Sequence, residues 1–286
     1  MPELPEVEIL ARHLRPRLQG QRIHSVVVQH LRIVRPDSPA KFAEALRGTV
    51  IQGIQRRGKF LIFGLQRDGS KSTPRLVGHL GMTGRLYLSP DLAAARRIKH
   101  LTVAFDLGDR TLVFEDPRRF GRLTLDTSSI DGLGPEPDDP KLTPETFREA
   151  LLKSRQAIKV KLLDQSLIAG VGHIYASEAL HLARLSPRRA ACRVSLPEAG
   201  LLLDAIRKVL LDAIRLGGSL PLDLDGHGSS DGLFYYGAAP EISPAPGIER
   251  FRVYDRGSQP CTQCGTRIRR LVQASRSTFF CPKCQT

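Results

Sequence analysis

The chain has 286 residues, 41% hydrophobic and 25% charged, enough for two or three domains with cores of their own, and it shows no low-complexity tract or internal repeat. Its 43 Lys and Arg against 29 Asp and Glu leave a formal charge of +14, which favours a polyanionic partner; a basic enzyme with a solvated surface is the alternative. Residues 1–10 are acidic where a signal peptide is basic, and no run approaches the ~18 apolar residues of a membrane helix, so the expected location is the cytoplasm, in association with the nucleoid and without membrane contact.

Residues 3–19 carry Leu4, Val7, Leu10, Ala11 and Leu14 at helical spacing, with Gly20 as the stop. Strand-like stretches rich in β-branched residues follow at 22–34, 48–56, 59–65, 75–88, 100–107, 111–115 and 121–126, interrupted by a short helix around 39–47. Gly108-Asp109 reads as a hairpin turn. Many short strands after one helix predict a β-sandwich or barrel with that helix laid against it. Residues 132–137, rich in Gly and Pro, read as a linker, and the pattern beyond them is helical. Thr143-Pro144 opens one helix, and Ser195 to Glu198 forms a capping box before an apolar stripe of Ile206, Val209, Leu210 and Ala213 that ends at Gly217. Residues 162–175 read as helix, glycine-bearing turn, helix. The stretch 219–248, rich in Gly, Pro and Asp, is too long for a passive connector.

Cys261, Cys264, Cys281 and Cys284 form two CxxC pairs 16 residues apart, the spacing of a closed, structural four-cysteine zinc site. The intervening residues predict a hairpin with Gln273, Ala274 and Ser275 near its tip. Residues 257–286 contain Arg267, Arg269, Arg270, Arg276 and Lys283 and no acidic residue, which suits contact with phosphates. Cys192 stands alone and reads as a packing residue. At the other end, Glu3 and Glu6 share a helix face, where acidic residues also favour the helix dipole. Once Met1 is removed, however, Pro2 offers a free secondary amine that can attack an aldehydic sugar carbon, and the helix start disfavours its protonated form.

Six collinear motifs then converge. They are Pro2-Glu3-Leu4-Pro5-Glu6, Arg56-Arg57-Gly58-Lys59, His79-Leu80-Gly81-Met82-Thr83-Gly84, Asp116-Pro117-Arg118-Arg119-Phe120-Gly121, the run from Gly170 to Glu178, and the four cysteines. Together they resemble the formamidopyrimidine-DNA glycosylase family, relatives of endonuclease VIII, from the second residue almost to the last. The resemblance implies an α+β multidomain fold: an N-terminal helix plus β-sandwich (1–131), a helix–two-turn–helix domain with a lesion loop at 219–248 (132–250), and a zinc-finger hairpin (251–286). It implies a monomeric, bifunctional DNA glycosylase and AP lyase of base excision repair, carrying one structural Zn2+ and removing 8-oxoguanine and formamidopyrimidines from duplex DNA. Pro2 is implied as nucleophile, Glu3 as general acid/base, Glu6 as its support, and Lys59 as the cation that holds phosphate and organises the carboxylates. Met82, Arg118 and Phe120 resemble the trio that fills the void left by a flipped nucleotide. His100, Lys159, His173 and Arg276 are implied as further DNA contacts, Lys159 near the lesion pocket.

The sequence departs from the family pattern at several places. His173 stands where the motif has Asn, a second histidine is missing after His100, and Asp255 and Ser275 occupy places usually held by glycine. The 219–248 stretch does not follow the usual lesion-capping sequence. Two alternatives therefore stay open: an endonuclease VIII-like preference for oxidised pyrimidines, and a non-catalytic zinc protein that binds lesions.

Overall fold

The computed structural model describes residues 2–69, 74–215 and 251–286. They divide into two units, residues up to 131 and residues from 132 onward.

In the first unit, α1 (Leu4–Leu18) buries Val7, Leu10, Ala11, Leu14 and Leu18, a single stripe at helical spacing. Two antiparallel four-stranded sheets follow. One orders β1 (Ser25–Val28), β6 (Leu101–Asp106), β7 (Thr111–Glu115) and β5 (Arg85–Ser89). The other orders β2 (Val50–Arg57), β3 (Phe60–Gln66), β4 (Arg75–His79) and β8 (Arg122–Thr124). The alternation along β3 puts Leu61, Phe63 and Leu65 inward, where they meet Phe105, Leu112 and Phe114 of the opposite sheet and Leu14 and Leu18 of α1 in one core. This is the expected sandwich with its helix.

Two expected strands fold differently. Within 22–34, Leu31–Val34 is a 3-10 turn, in which the Ile33 N–H donates to the His30 carbonyl at 3.1 Å and Ile33 and Val34 are buried. The stretch 75–88 breaks into β4 and β5 in different sheets, because Gly81 takes a positive φ and the Gly84 N–H closes a turn on the Leu80 carbonyl at 2.8 Å. The short helix near 39–47 forms as α2 (Pro39–Leu46), with Ser38 accepting the Lys41 N–H at 3.3 Å. Two more short helices, α3 (Leu92–Arg96) and α4 (Ser128–Asp131), were not expected; Asp91 caps the former through Ala94 N–H at 2.7 Å.

The second unit contains α5 (Pro144–Leu152), α6 (Ile158–Leu162), α7 (His173–Leu182) and α8 (Leu196–Arg215), followed by the hairpin β9 (Arg269–Gln273) and β10 (Arg276–Phe280). Thr143 caps α5, and the Glu198 carboxylate accepts the Ser195 N–H at 2.8 Å at the start of α8, as the capping patterns predict. α8 buries Leu202, Leu203, Ile206, Val209 and Leu210. Gly217 and the 219–248 stretch lie outside the described residues. The segment read as a linker is packed: Gly134 N–H donates to the Gln165 carbonyl at 2.8 Å, and a Cβ at Gly134 would meet the Ser166 carbonyl at 2.3 Å. The finger segment is tied into this unit, since Glu178 of α7 accepts the N–H groups of Arg252, Val253 and Tyr254 at 2.8–2.9 Å. Among the described residues no helix is long and apolar enough to cross a membrane.

Candidate active site

The start of α1 is buried, with Pro2 inside, Glu3 0% exposed and Glu6 6% exposed. The Glu6 carboxylate accepts the Glu3 N–H at 2.8 Å, so Glu6 fixes the backbone that carries the Glu3 side chain. Lys59 enters from the β2–β3 turn, where Gly58 takes a positive φ, and is itself 8% exposed. Burial holds the Lys59 ammonium below the ordinary lysine range, while the Glu3 and Glu6 carboxylates pull it back up. Acidic residues that merely favour a helix dipole have no need to be buried beside a lysine. Here two carboxylates and one ammonium share a desolvated corner next to residue 2, a set suited to moving protons. Glu8, one turn on, is occupied differently: it pairs with Arg12 at 2.7 Å and Arg56 at 2.9 Å.

Two loops carry the expected DNA-probing residues. Met82 is half-buried in the β4–β5 turn, while Arg118 and Phe120 are exposed in the β7–β8 loop, with the Arg118 guanidinium 4.9 Å from the Phe120 ring centre. An apolar side chain left 55% in water with a cation on its face is poised to leave water for another surface. His100 is half-buried, and its carbonyl accepts the Asp116 N–H at 3.0 Å, which brings it to the base of the same loop. Behind the loops a pocket of about 230 Å3 is lined by Phe60, Val77, His79, Phe120, Arg122, Thr124 and Ser129. Its His79 ring lies 4.8 Å from Phe60, and its Nδ1 accepts the Gly81 N–H at 3.2 Å. Burial, aided by Lys59 and Arg122, holds the His79 pKa down to about 4, so the ring is neutral at pH 7.

In the second unit the turn between α6 and α7 is braced by Gln165, which accepts the Gly170 N–H at 3.0 Å and donates to the Leu163 and Val171 carbonyls. Gly172 caps α7 without a side chain, and His173 opens the helix with its ring 5.8 Å from that of Tyr254. Arg276 is exposed at the start of β10, just past the hairpin tip. Lys159 lies on α6. It is fully buried, and its ammonium donates to the Ser277 carbonyl at 2.9 Å and the Thr278 hydroxyl at 2.8 Å. These two bonds tie Lys159 to β10.

The four cysteine sulfurs lie within 4.8 Å of one another, with Cys261–Cys284 at 3.9 Å and Cys264–Cys281 at 3.5 Å. Four Zn–S bonds of about 2.3 Å in a tetrahedron put sulfurs about 3.8 Å apart, so the cluster fits one structural zinc ion and leaves no open position for catalysis. The His181 Nε2 stands 3.5 Å from the Cys261 sulfur, a contact that no spacing in the sequence announced. Glu178 and Asp116 lay inside recognised motifs, yet their hydrogen-bonding work is visible only in three dimensions.

Comparison with known proteins covers the whole chain. Residues 1–123 match the formamidopyrimidine-DNA glycosylase N-terminal domain, 133–221 the corresponding H2TH domain, and 258–286 a zinc finger found in FPG and IleRS. Relatives named formamidopyrimidine-DNA glycosylase include those of Symbiobacterium thermophilum, 40% identical over 100% of this chain and 89% of that protein, and Chloroflexus aurantiacus, 40% identical over 100% and 98%. Among solved structures, Lactococcus lactis Fpg bound to DNA containing N7-benzyl-Fapy-dG superposes with a TM-score of 0.83 at 35% identity over 100% of both chains. The same protein bound to DNA containing an abasic site gives 0.83 at 35% over 99% of each.

Proposed function

The chain belongs to the formamidopyrimidine-DNA glycosylase family, and on that premise we propose that it excises oxidised purines from duplex DNA and nicks the resulting abasic site, with residue 2 as nucleophile. The observation that carries the assignment of roles is the joint burial of Glu3, Glu6 and Lys59 beside Pro2. With Met1 removed, the Pro2 nitrogen attacks C1′ of the damaged nucleotide. The glycosidic bond breaks, and the base leaves with a proton. Glu3 protonates the ring oxygen as the sugar opens to an iminium on Pro2, then serves as base and acid in the proton transfers that follow. Elimination of the two flanking phosphates nicks the strand, and hydrolysis of the iminium returns the amine. Glu6 holds the Glu3 backbone, and Lys59 binds phosphate and steadies the carboxylates.

The nucleotide has to leave the duplex before attack, and Met82, Arg118 and Phe120 enter the space it vacates. The start of α7 with His173, together with His100 and Arg276, grips phosphates. The protein works as a monomer in the cytoplasm, on nucleoid DNA.

The test is borohydride reduction during reaction with duplexes bearing 8-oxoguanine, a formamidopyrimidine or an oxidised pyrimidine. A covalent adduct mapping to residue 2, formed fastest with the purine lesions, is expected. An adduct on Lys59 or another internal lysine overturns the nucleophile. Faster reaction with the oxidised pyrimidine overturns the substrate class, and lesion binding without any excision supports the non-catalytic alternative.

A further inference from the structure

We propose that Asp116 is a positioning residue that locks the 80–84 and 116–121 loops into one rigid probe, with the Thr83 hydroxyl as the link between them. This inference rests on the wedge role given above to Met82, Arg118 and Phe120.

Asp116 is 1% exposed and sits at the base of the exposed Arg118–Phe120 segment. Its Oδ1 accepts the Arg118 N–H at 3.2 Å and its Oδ2 accepts the Gly121 N–H at 2.7 Å. Those two bonds close its own loop. The third leaves that loop: the Thr83 hydroxyl donates to Oδ1 at 2.6 Å, across 33 residues of sequence, from the position next to Met82. A short bond to a buried carboxylate is among the stronger side-chain hydrogen bonds.

The backbones reinforce this bond. A Cβ at Gly81 would stand 2.5 Å from the Phe120 carbonyl carbon and 2.6 Å from the Gly121 nitrogen, so Gly81 allows the loops to touch main chain to main chain. Gly81 also adopts φ +63, which other residues resist. The Arg118 guanidinium over the Phe120 ring joins the two exposed side chains. Met82 on one loop and the Arg118–Phe120 pair on the other are thus held to a common base through Asp116. A probe preassembled in this way meets the duplex without first ordering two loops, and the ordering entropy is spent in folding instead of at the lesion.

The experiment uses the full zinc-loaded chain and two substrates: a duplex with a paired lesion, and a single strand with a preformed abasic site, which needs no flipping. Thr83→Val removes the hydroxyl at nearly constant volume. It should lower single-turnover excision from the duplex roughly tenfold while strand cleavage of the single-stranded abasic site stays within about twofold. Thr83→Ser, which keeps the hydroxyl, should restore the duplex rate. Phe120→Ala should lower the duplex rate, and Thr83→Val added to it should cost less than about twofold more, because the clamp acts through the wedge. A parental duplex rate in Thr83→Val alongside a reduced rate in Phe120→Ala overturns the clamp and leaves the wedge standing. A parental rate in Phe120→Ala overturns the wedge itself. Equal losses on both substrates, or Thr83→Ser failing to rescue, also overturn the positioning role.

Discussion

His79 gives the site a calculable response to acid. The ring packs 4.8 Å from Phe60, accepts the Gly81 N–H, and faces the Lys59 and Arg122 charges, so burial and two cations hold its pKa at about 4 against an ordinary 6.5. Between those values the unfolded chain binds the proton and the folded one does not, so stability is complete above about pH 6.5 and is lost as pH falls. The interval, at about 1.36 kcal/mol per pH unit, sets a ceiling of about 3 kcal/mol. At pH 5 the unfolded ring is almost fully protonated and the folded ring almost neutral, which removes about 2 kcal/mol relative to pH 8. His79→Asn is the informative change, because its carbonyl oxygen stands near the place of Nδ1 and can accept the Gly81 N–H without titrating. The variant loses the stacking on Phe60 and starts less stable at pH 8, so the quantity to compare is the slope. Urea unfolding followed by circular dichroism at pH 8, 6.5 and 5 should show the parent losing about 2 kcal/mol more than His79→Asn across that range. Parallel pH profiles in the two proteins would refute the reasoning.

Three further outcomes follow from the site and the finger. Glu3→Gln keeps the helix start and removes the titrating group, so excision measured on a damaged duplex should fall about 10²–10⁴-fold while the melting temperature changes little. Metal analysis should find one zinc per chain, and Cys281→Ser should weaken duplex binding while the first unit stays folded. His181→Phe, which removes the contact to the Cys261 sulfur at 3.5 Å, should speed zinc loss to a chelator without changing the stoichiometry.

What the sequence made legible was whatever leaves a period or a spacing. The stripe on α1 and the two CxxC pairs each follow from one-dimensional regularity, and the structure returns both. The 75–88 stretch misled because apolar residues recur on both sides of Gly81, while the break depends on where β5 finds its partner, β7 in the other sheet. Lys159 shows the opposite limit. A basic residue beside a recognised motif reads as a ligand contact, but its acceptors, Ser277 and Thr278, are more than a hundred residues away. The departures from family glycines were sharper than they looked: Asp255 and Ser275 take φ values of 58° and 60°, the left-handed region that makes glycine the usual choice. Thr83 and Asp116 were in view as letters of two motifs, yet the bond between them belongs to neither motif alone.

The electrostatics around Lys59 bind these separate features into one argument. Burying a lysine and two carboxylates stabilises a fold less than apolar residues of the same volume would, so the corner at Glu3, Glu6 and Lys59 is a cost that the 24-residue apolar core of this unit has to cover. The carboxylates keep Lys59 from losing its proton as far as burial alone would drive it. A charged Lys59 in turn helps to keep His79 neutral, and the neutral ring has the lone pair that accepts the Gly81 N–H. Gly81 is the point where the Met82 loop touches the Phe120 loop. The charge of the proton-transfer corner thus adds to burial in keeping His79 neutral, and the His79–Gly81 bond joins that corner to the base of the loops that probe the duplex.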